Sequence, residues 1–133
     1  MLHSPVLDHF VLRVRDLDRA LKFYVELLGL PVEFLAEYRA GTRPFVSLRV
    51  GAQLIDLVPD PTYDPDEGMY KGGFMHLCLE VENKLSELIP QLQERGVAII
   101  EEQPVPRMGA SGIGLSIYVR DPDDYIVELK ERA

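Results

Sequence analysis

The chain has 133 residues, 47 % of them apolar, which is enough to bury the core of one domain of ordinary size. Its formal charge of −8 argues against nucleic acid and anionic membrane surfaces as partners. A single cysteine, Cys78, excludes an intrachain disulfide and fits a reducing compartment, and no run approaches the roughly 18 apolar residues of a membrane span, so a cytoplasmic location is expected.

The first predicted element is a strand over Leu7 to Val14. Phe10, Leu12 and Val14 form its apolar face, and His9, Val11 and Arg13 occupy the other. A helix follows from Asp16, a plausible N-cap, to Gly29, a plausible C-terminal glycine, with Leu17, Ala20, Leu21, Tyr24, Leu27 and Leu28 on one face. Pro31 to Tyr38, Pro44 to Val50 and Gln53 to Val58 read as three strands, giving β-α-β-β-β. Residues 59–73, with three prolines and three glycines, read as a loop.

The order then repeats. A strand over Phe74 to Val81 places His76, Cys78 and Glu80 opposite Met75, Leu77, Leu79 and Val81. A helix from about Lys84 to Arg95 ends at Gly96, with a bend expected near Ser86 to Pro90. A strand from Val97 to about Glu102 precedes a closing hairpin over Ser116 to Lys130, turned by Asp-Pro-Asp-Asp. In its last strand Ile126, Glu128 and Lys130 share one face. Module one thus covers about residues 6–58 and module two about 74–131.

His9 and His76 lie 76 − 9 = 67 residues apart, each near the start of its module's first strand. Adding 67 to Asp56 gives 123, five residues short of Glu128, so Asp56 in Gln-Leu-Ile-Asp-Leu is the counterpart of Glu128 in Tyr-Ile-Val-Glu-Leu. A lone strand histidine is ordinarily a hydrogen-bonded or surface residue, and a lone glutamate in a terminal strand is ordinarily solvated. Two symmetry-related pairs of ligand-type residues, all facing away from the helix-packing stripe, make a competent site for a divalent first-row metal: His9, His76 and Glu128, with Asp56 as a fourth ligand or an outer-shell acceptor. His3 lies in the leading tail and takes no role.

The Asp8-His-Phe-Val-Leu-Arg-Val opening, the central Gly-Phe-Met-His-Leu-Cys-Leu and the Arg-Asp-Pro-Asp…Ile-Val-Glu-Leu ending resemble the vicinal oxygen chelate superfamily, which includes glyoxalase I, extradiol dioxygenases, fosfomycin-resistance enzymes and bleomycin-binding proteins. The resemblance covers nearly the whole chain. It implies an α+β fold of two βαβββ modules whose curved mixed sheets enclose a metal cleft, with His9, His76 and Glu128 as ligands of Ni, Zn, Co, Mn or Fe(II). It also implies a homodimer acting on a small molecule. His9-Phe-Val-Leu-Arg13 looks like the glyoxalase I opening, whose arginine grips a carboxylate, and Asp56 falls where glyoxalase I has a ligand glutamate. The asparagine-tryptophan element of glyoxalase I is missing, fosfomycin elements have no match, and the usual Asp-Pro-Asp-Gly turn is Asp-Pro-Asp-Asp here.

The expected activity is a metal-dependent lyase or isomerase that chelates adjacent substrate oxygens, with Glu128 or Asp56 moving a proton. The alternatives are an extradiol-type Fe(II) dioxygenase, in which Asp56 leaves a coordination position open, and a non-catalytic small-molecule binder. Arg13 and Tyr118 are the candidate substrate contacts. Arg13 could equally pair with Glu80, and Tyr118 could simply pack.

Overall fold

The computed structural model describes residues 1, 3–66, 74–101 and 103–132, in two compact units, Met1–Asp64 and Pro65–Ala133. Each carries one four-stranded mixed sheet. In the first, β1 (His9–Val14), β2 (Val32–Glu33), β3 (Val46–Val50) and β4 (Gln53–Pro59) lie in the order β1-β4-β3-β2, with β1 parallel to β4 and the other pairs antiparallel. In the second, β5 (Leu77–Val81), β6 (Val105–Gly109), β7 (Gly112–Arg120) and β8 (Ile126–Glu131) repeat that plan in the order β5-β8-β7-β6. The expected α+β repeat of β-α-β-β-β is therefore present.

Alternation decides which residues form the cores. Leu12, Val14, Val46, Leu48, Ile55 and Leu57 share one face of the first sheet and are buried, together with Ala20, Phe23 and Tyr24 of the helical segment. In the second unit Leu77, Ile117, Val119, Val127 and Leu129 are buried, as are Leu85 and Leu92 of its helix. The opposite face of each sheet holds the candidate ligands.

The first helix opens as α1 (Leu17–Leu21), capped by the Asp16 carboxylate, which accepts from Arg19 N at 3.2 Å. It continues as a π-helical stretch, Lys22–Leu27, and closes at Gly29, whose φ of 80° is the left-handed conformation glycine adopts without a Cβ clash. Gly96, 67 residues on, closes the second helix in the same way at φ 72°. That helix, α3 (Leu85–Glu94), runs on as one element across Pro90. Its first free amide, Leu85 N, donates to Glu131 Oε1 at 2.7 Å, so a glutamate from β8 caps it.

Three expectations are corrected. The strand over 31–38 shrinks to β2, because Phe34 turns to a left-handed φ of 67° and Leu-Ala-Glu-Tyr-Arg then forms α2 (Leu35–Arg39), as its helix-favouring composition allows. The stretch from Val97 is no strand: it makes an isolated bridge, Ile99 to Val119, and the expected end of that strand at 102 lies outside the described residues. The strand that completes the sheet is β6, in the proline-containing stretch between the expected strand and the closing hairpin, where no element was expected; Pro106 is tolerated because β6 is an edge strand. Residues 67–73 of the expected loop also lie outside the described residues. Among the described residues no helix is long and apolar enough to cross a membrane.

Candidate metal and substrate site

Asp56 sits on β4, between Val11 of β1 and Ser47 of β3. The Ser47 hydroxyl donates to Asp56 Oδ1 at 2.6 Å, which turns Oδ2 toward His9 Nε2, 4.0 Å away. On the other side of the ring, His9 Nδ1 donates to Asp8 Oδ2 at 2.6 Å. That bond, with smaller help from the charge of Asp56, raises the His9 pKa above its ordinary value against the opposing effect of burial. It also fixes Nε2 as the nitrogen facing Asp56, the way an outer carboxylate orients a metal-binding imidazole.

Ser47 is itself held from behind. Arg43 Nη2 donates to its hydroxyl at 3.1 Å, and the guanidinium lies 3.8 Å from the Phe34 ring centroid and 4.4 Å from that of Phe45. The left-handed backbone at Phe34 is what brings its ring to this stack.

The second unit repeats the chain of groups. Glu128 on β8 lies between Cys78 of β5 and Tyr118 of β7. Ser116 Oγ donates to Glu128 Oε2 at 2.8 Å, and Oε1 faces His76 Nε2 at 3.1 Å. Arg107 Nε donates to the Tyr118 hydroxyl at 2.9 Å, and that phenol in turn hydrogen-bonds Glu128. Burial works to raise the Glu128 carboxyl, but the bonds from Ser116, Tyr118 and Cys78 outweigh it and hold the group below its ordinary value. Burial, then the charge of Glu128, pushes the Cys78 thiol up to about 12, so it is no thiolate nucleophile at neutral pH.

Each unit therefore lines up guanidinium, hydroxyl, carboxylate and imidazole, and in each the carboxylate oxygen not taken by a serine points at the imidazole. Two donor atoms about 2.1 Å from one ion lie roughly 3.0 Å apart at a right angle and roughly 3.4 Å apart in a tetrahedron. The 3.1 Å of His76 and Glu128 fits that range; the 4.0 Å of His9 and Asp56 exceeds it. The expected ligands thus come as two pairs, and among the described residues no three His, Cys, Asp or Glu gather in a metal-holding group.

Arg13 is exposed and lies 3.5 Å from Asp60 Oδ2, over Tyr63. Glu80 is engaged by Arg132 at 3.0 Å and by Ser111. Tyr118 lies opposite Glu128 in the sheet, with its ring edge-on to His76. Asp8, Arg43, Ser47, Arg107 and Ser116 join the candidate residues only through the structure. The polar residues at 47 and 116, inside otherwise apolar runs, were the available signal for the two serines.

The family model for the Glyoxalase/Bleomycin resistance protein/Dioxygenase superfamily matches residues 6–129. A virulence protein of Salmonella typhimurium is 31 % identical over 94 % of this chain and 83 % of its own length, and its crystal structure superimposes with a TM-score of 0.76 over the whole of both chains at 29 % identity. A glyoxalase domain-containing protein of Mycosarcoma maydis is 35 % identical over 92 % of this chain and 66 % of its own length. A probable lactoylglutathione lyase of Synechocystis is 28 % identical, covering 91 % of each. The chain belongs to the Glyoxalase/Bleomycin resistance protein/Dioxygenase superfamily.

Proposed function

We propose that the protein is a metal-dependent enzyme of lyase or isomerase type, in which pairs of the kinds His76–Glu128 and His9–Asp56 together hold one divalent first-row ion. The observation that carries this reading is the 3.1 Å approach of Glu128 Oε1 to His76 Nε2, with Oε2 anchored by Ser116. The set of two imidazoles and two carboxylates suits Ni, Zn, Co or Mn. When bound, such an ion holds two neighbouring substrate oxygens and stabilises negative charge developing on them. Glu128, held below its ordinary pKa by its three donors, leaves the ion or borders it to accept and return a proton, while Tyr118 and Arg13 border the substrate. Asp56, one methylene shorter, serves as ligand. The working form is a homodimer.

The 4.0 Å separation at Asp56 favours a second reading. There His9, His76 and Glu128 alone bind Fe(II), leaving positions open for a catecholate and O₂.

Elemental analysis of protein purified without added metal or chelator tests both, beside a His76→Ala control. About one first-row ion per chain, lost in the control, is expected; nickel, zinc, cobalt or manganese supports the first reading and iron the second. Light scattering on the same sample should return twice the 15.1 kDa chain mass. No metal, and none taken up on reconstitution, overturns the enzyme reading in favour of a small-molecule binder.

A further inference from the structure

Arg43, in the loop ahead of β3, is half-buried, with its guanidinium 3.8 Å from the Phe34 ring centroid and 4.4 Å from that of Phe45. Its Nε is out of reach of solvent and, among the described residues, has no hydrogen-bond partner. A buried donor left unmade is unfavourable, and so is the left-handed backbone that puts Phe34 on the stack. The carboxylate of Glu33 does not explain the arrangement, because Arg49 takes both its oxygens, at 2.6 and 3.1 Å. That bond holds the Glu33 carboxyl below its ordinary value against burial, with the charges of Arg49 and then Arg43 adding to it.

What the guanidinium does bond is Ser47. Arg43 Nη2 donates to the Ser47 hydroxyl at 3.1 Å, and that hydroxyl donates to Asp56 Oδ1 at 2.6 Å. A serine hydroxyl has one proton. While its oxygen accepts from Arg43, the proton is committed to Asp56. Ser47 and Asp56 face each other in the β3–β4 register, so their backbones are fixed, and Ser47 is fully buried, which keeps bulk water from replacing either partner. The freedom that remains is rotation of the carboxylate, and the chain of donors from Arg43 removes it. The two rings also hold the guanidinium at low dielectric, where a charge-assisted hydrogen bond is stronger than in water.

We propose that Arg43 is a positioning residue for Asp56: through Ser47 it fixes the rotation of the carboxylate, so that one oxygen, Oδ2, is offered beside His9 to a divalent ion and Oδ1 is withheld. The inference rests on the reading above only in supposing that ion. A carboxylate binds an ion through one oxygen or through both. Offering one leaves free a position that both would fill, which is the room a substrate with two neighbouring oxygens needs.

Two measurements test this. In crystals of the metal-free proteins, Arg43→Met should show the Asp56 carboxylate rotated, with neither oxygen where Oδ2 stands in wild type; an unmoved carboxylate overturns the proposal. The second is a double-mutant cycle on Co(II) affinity, read by chelator competition in wild type, Arg43→Met, Asp56→Asn and the double variant. Removing Arg43 also relieves its repulsion of the dication, so the single substitution mixes two opposed effects. The cycle cancels the repulsion, which is the same in both backgrounds. Arg43→Met should change affinity about tenfold less favourably where Asp56 is present than in the Asp56→Asn background, the low end of what an outer-shell partner contributes. Equal changes in the two backgrounds overturn the proposal, since a merely structural role would act alike in both. Arg43→Lys, which keeps the charge and loses the planar fork between the rings, should show both effects at smaller size, and it takes the place of Arg43→Met if that variant fails to fold by circular dichroism. No Co(II) bound by wild type, with Asp56 turned in the variant crystals, refutes the enzyme reading alone; Co(II) bound, with Asp56 unmoved, refutes this one alone.

Discussion

The two units place the same four kinds of group in the same order, yet the pairs they end in differ by almost an ångström. In the second, Glu128 reaches to 3.1 Å of His76; in the first, Asp56 stops 4.0 Å from His9. The backbone does not account for this, since both carboxylates occupy the strand between the parallel edge strand and the antiparallel hairpin partner. One methylene does. The support differs as well: Glu128 is bonded by Ser116, Tyr118 and Cys78, whereas Ser47 is the hydroxyl on Asp56 and is itself gripped by Arg43 between two phenylalanine rings. The first unit compensates for reach with bracing, and the second relies on redundancy.

Removing a hydroxyl from each unit should break the comparison most sharply. Ser47→Ala leaves the buried Asp56 Oδ1 and Arg43 Nη2 without their bond, at a cost of about 1–3 kcal/mol in stability. Metal affinity should fall by roughly 10- to 100-fold, the usual range for an outer-shell partner. Ser116→Ala should cost less on both measures, because Tyr118 and Cys78 still bond Glu128. Denaturant melts with chelator competition check this, and equal losses in the two variants would show that Tyr118 and Cys78 give Glu128 no reserve.

Asp56→Glu sharpens the comparison from the other side. It gives the first pair the reach of the second, and metal affinity should rise about tenfold on the same chelator assay, against an overpacking cost of up to about 1–3 kcal/mol at a position only 7 % exposed. Lower affinity in a folded variant would mean that the short side chain is the fitted one, which strengthens the three-ligand iron reading.

The sequence made the repeat legible because its punctuation is physical. Gly29 and Gly96 end helices in a conformation other residues resist, and the alternation in 10–14 and 125–130 could satisfy only one choice of inward face. The pairing of His9 with Asp56 and of His76 with Glu128 was not legible there: the sequence groups His9, His76 and Glu128 as one ligand set, and the pairs emerge only once β1 lies beside β4 and β5 beside β8. The misses came where local preference was overruled. Nothing in Val-Glu-Phe-Leu announces a left-handed Phe34, yet that residue converts an expected strand into α2 and aims a ring at Arg43. Pro104 and Pro106 fall in a stretch where no element was expected, and only the edge position of β6, a property of the assembled sheet, makes a strand there acceptable. Asp124 adopts the left-handed φ of 66° at the position where the family's turn usually has glycine, so the hairpin keeps its geometry without it. Arg43, Ser47 and Asp56 are distributed over a loop and two strands, so their alignment exists only after β3 pairs with β4.

The smallest expected effect concerns Asp8, the brace that His9 has next to it in sequence, where His76 has Met75. The Asp8 hydrogen bond is the leading cause that lifts His9 above its ordinary 6.5. A raised folded-state pKa means that the protonated ring is favoured in the folded chain; that contribution is fully present below the unfolded value and is lost as pH rises through the folded one. Asp8→Asn should therefore lower stability slightly at pH 5 to 6 and leave it unchanged at pH 8. Metal binding runs the opposite way, since the ion competes with that proton for the ring. The variant should show its weaker orientation of Nε2 as a modest affinity loss at pH 8, shrinking toward pH 6 as the lower-pKa ring gives up its proton more readily. Parallel melts and chelator titrations at the two pH values read both slopes. A loss of affinity that grows on acidification would mean that Asp8 does not raise the His9 pKa.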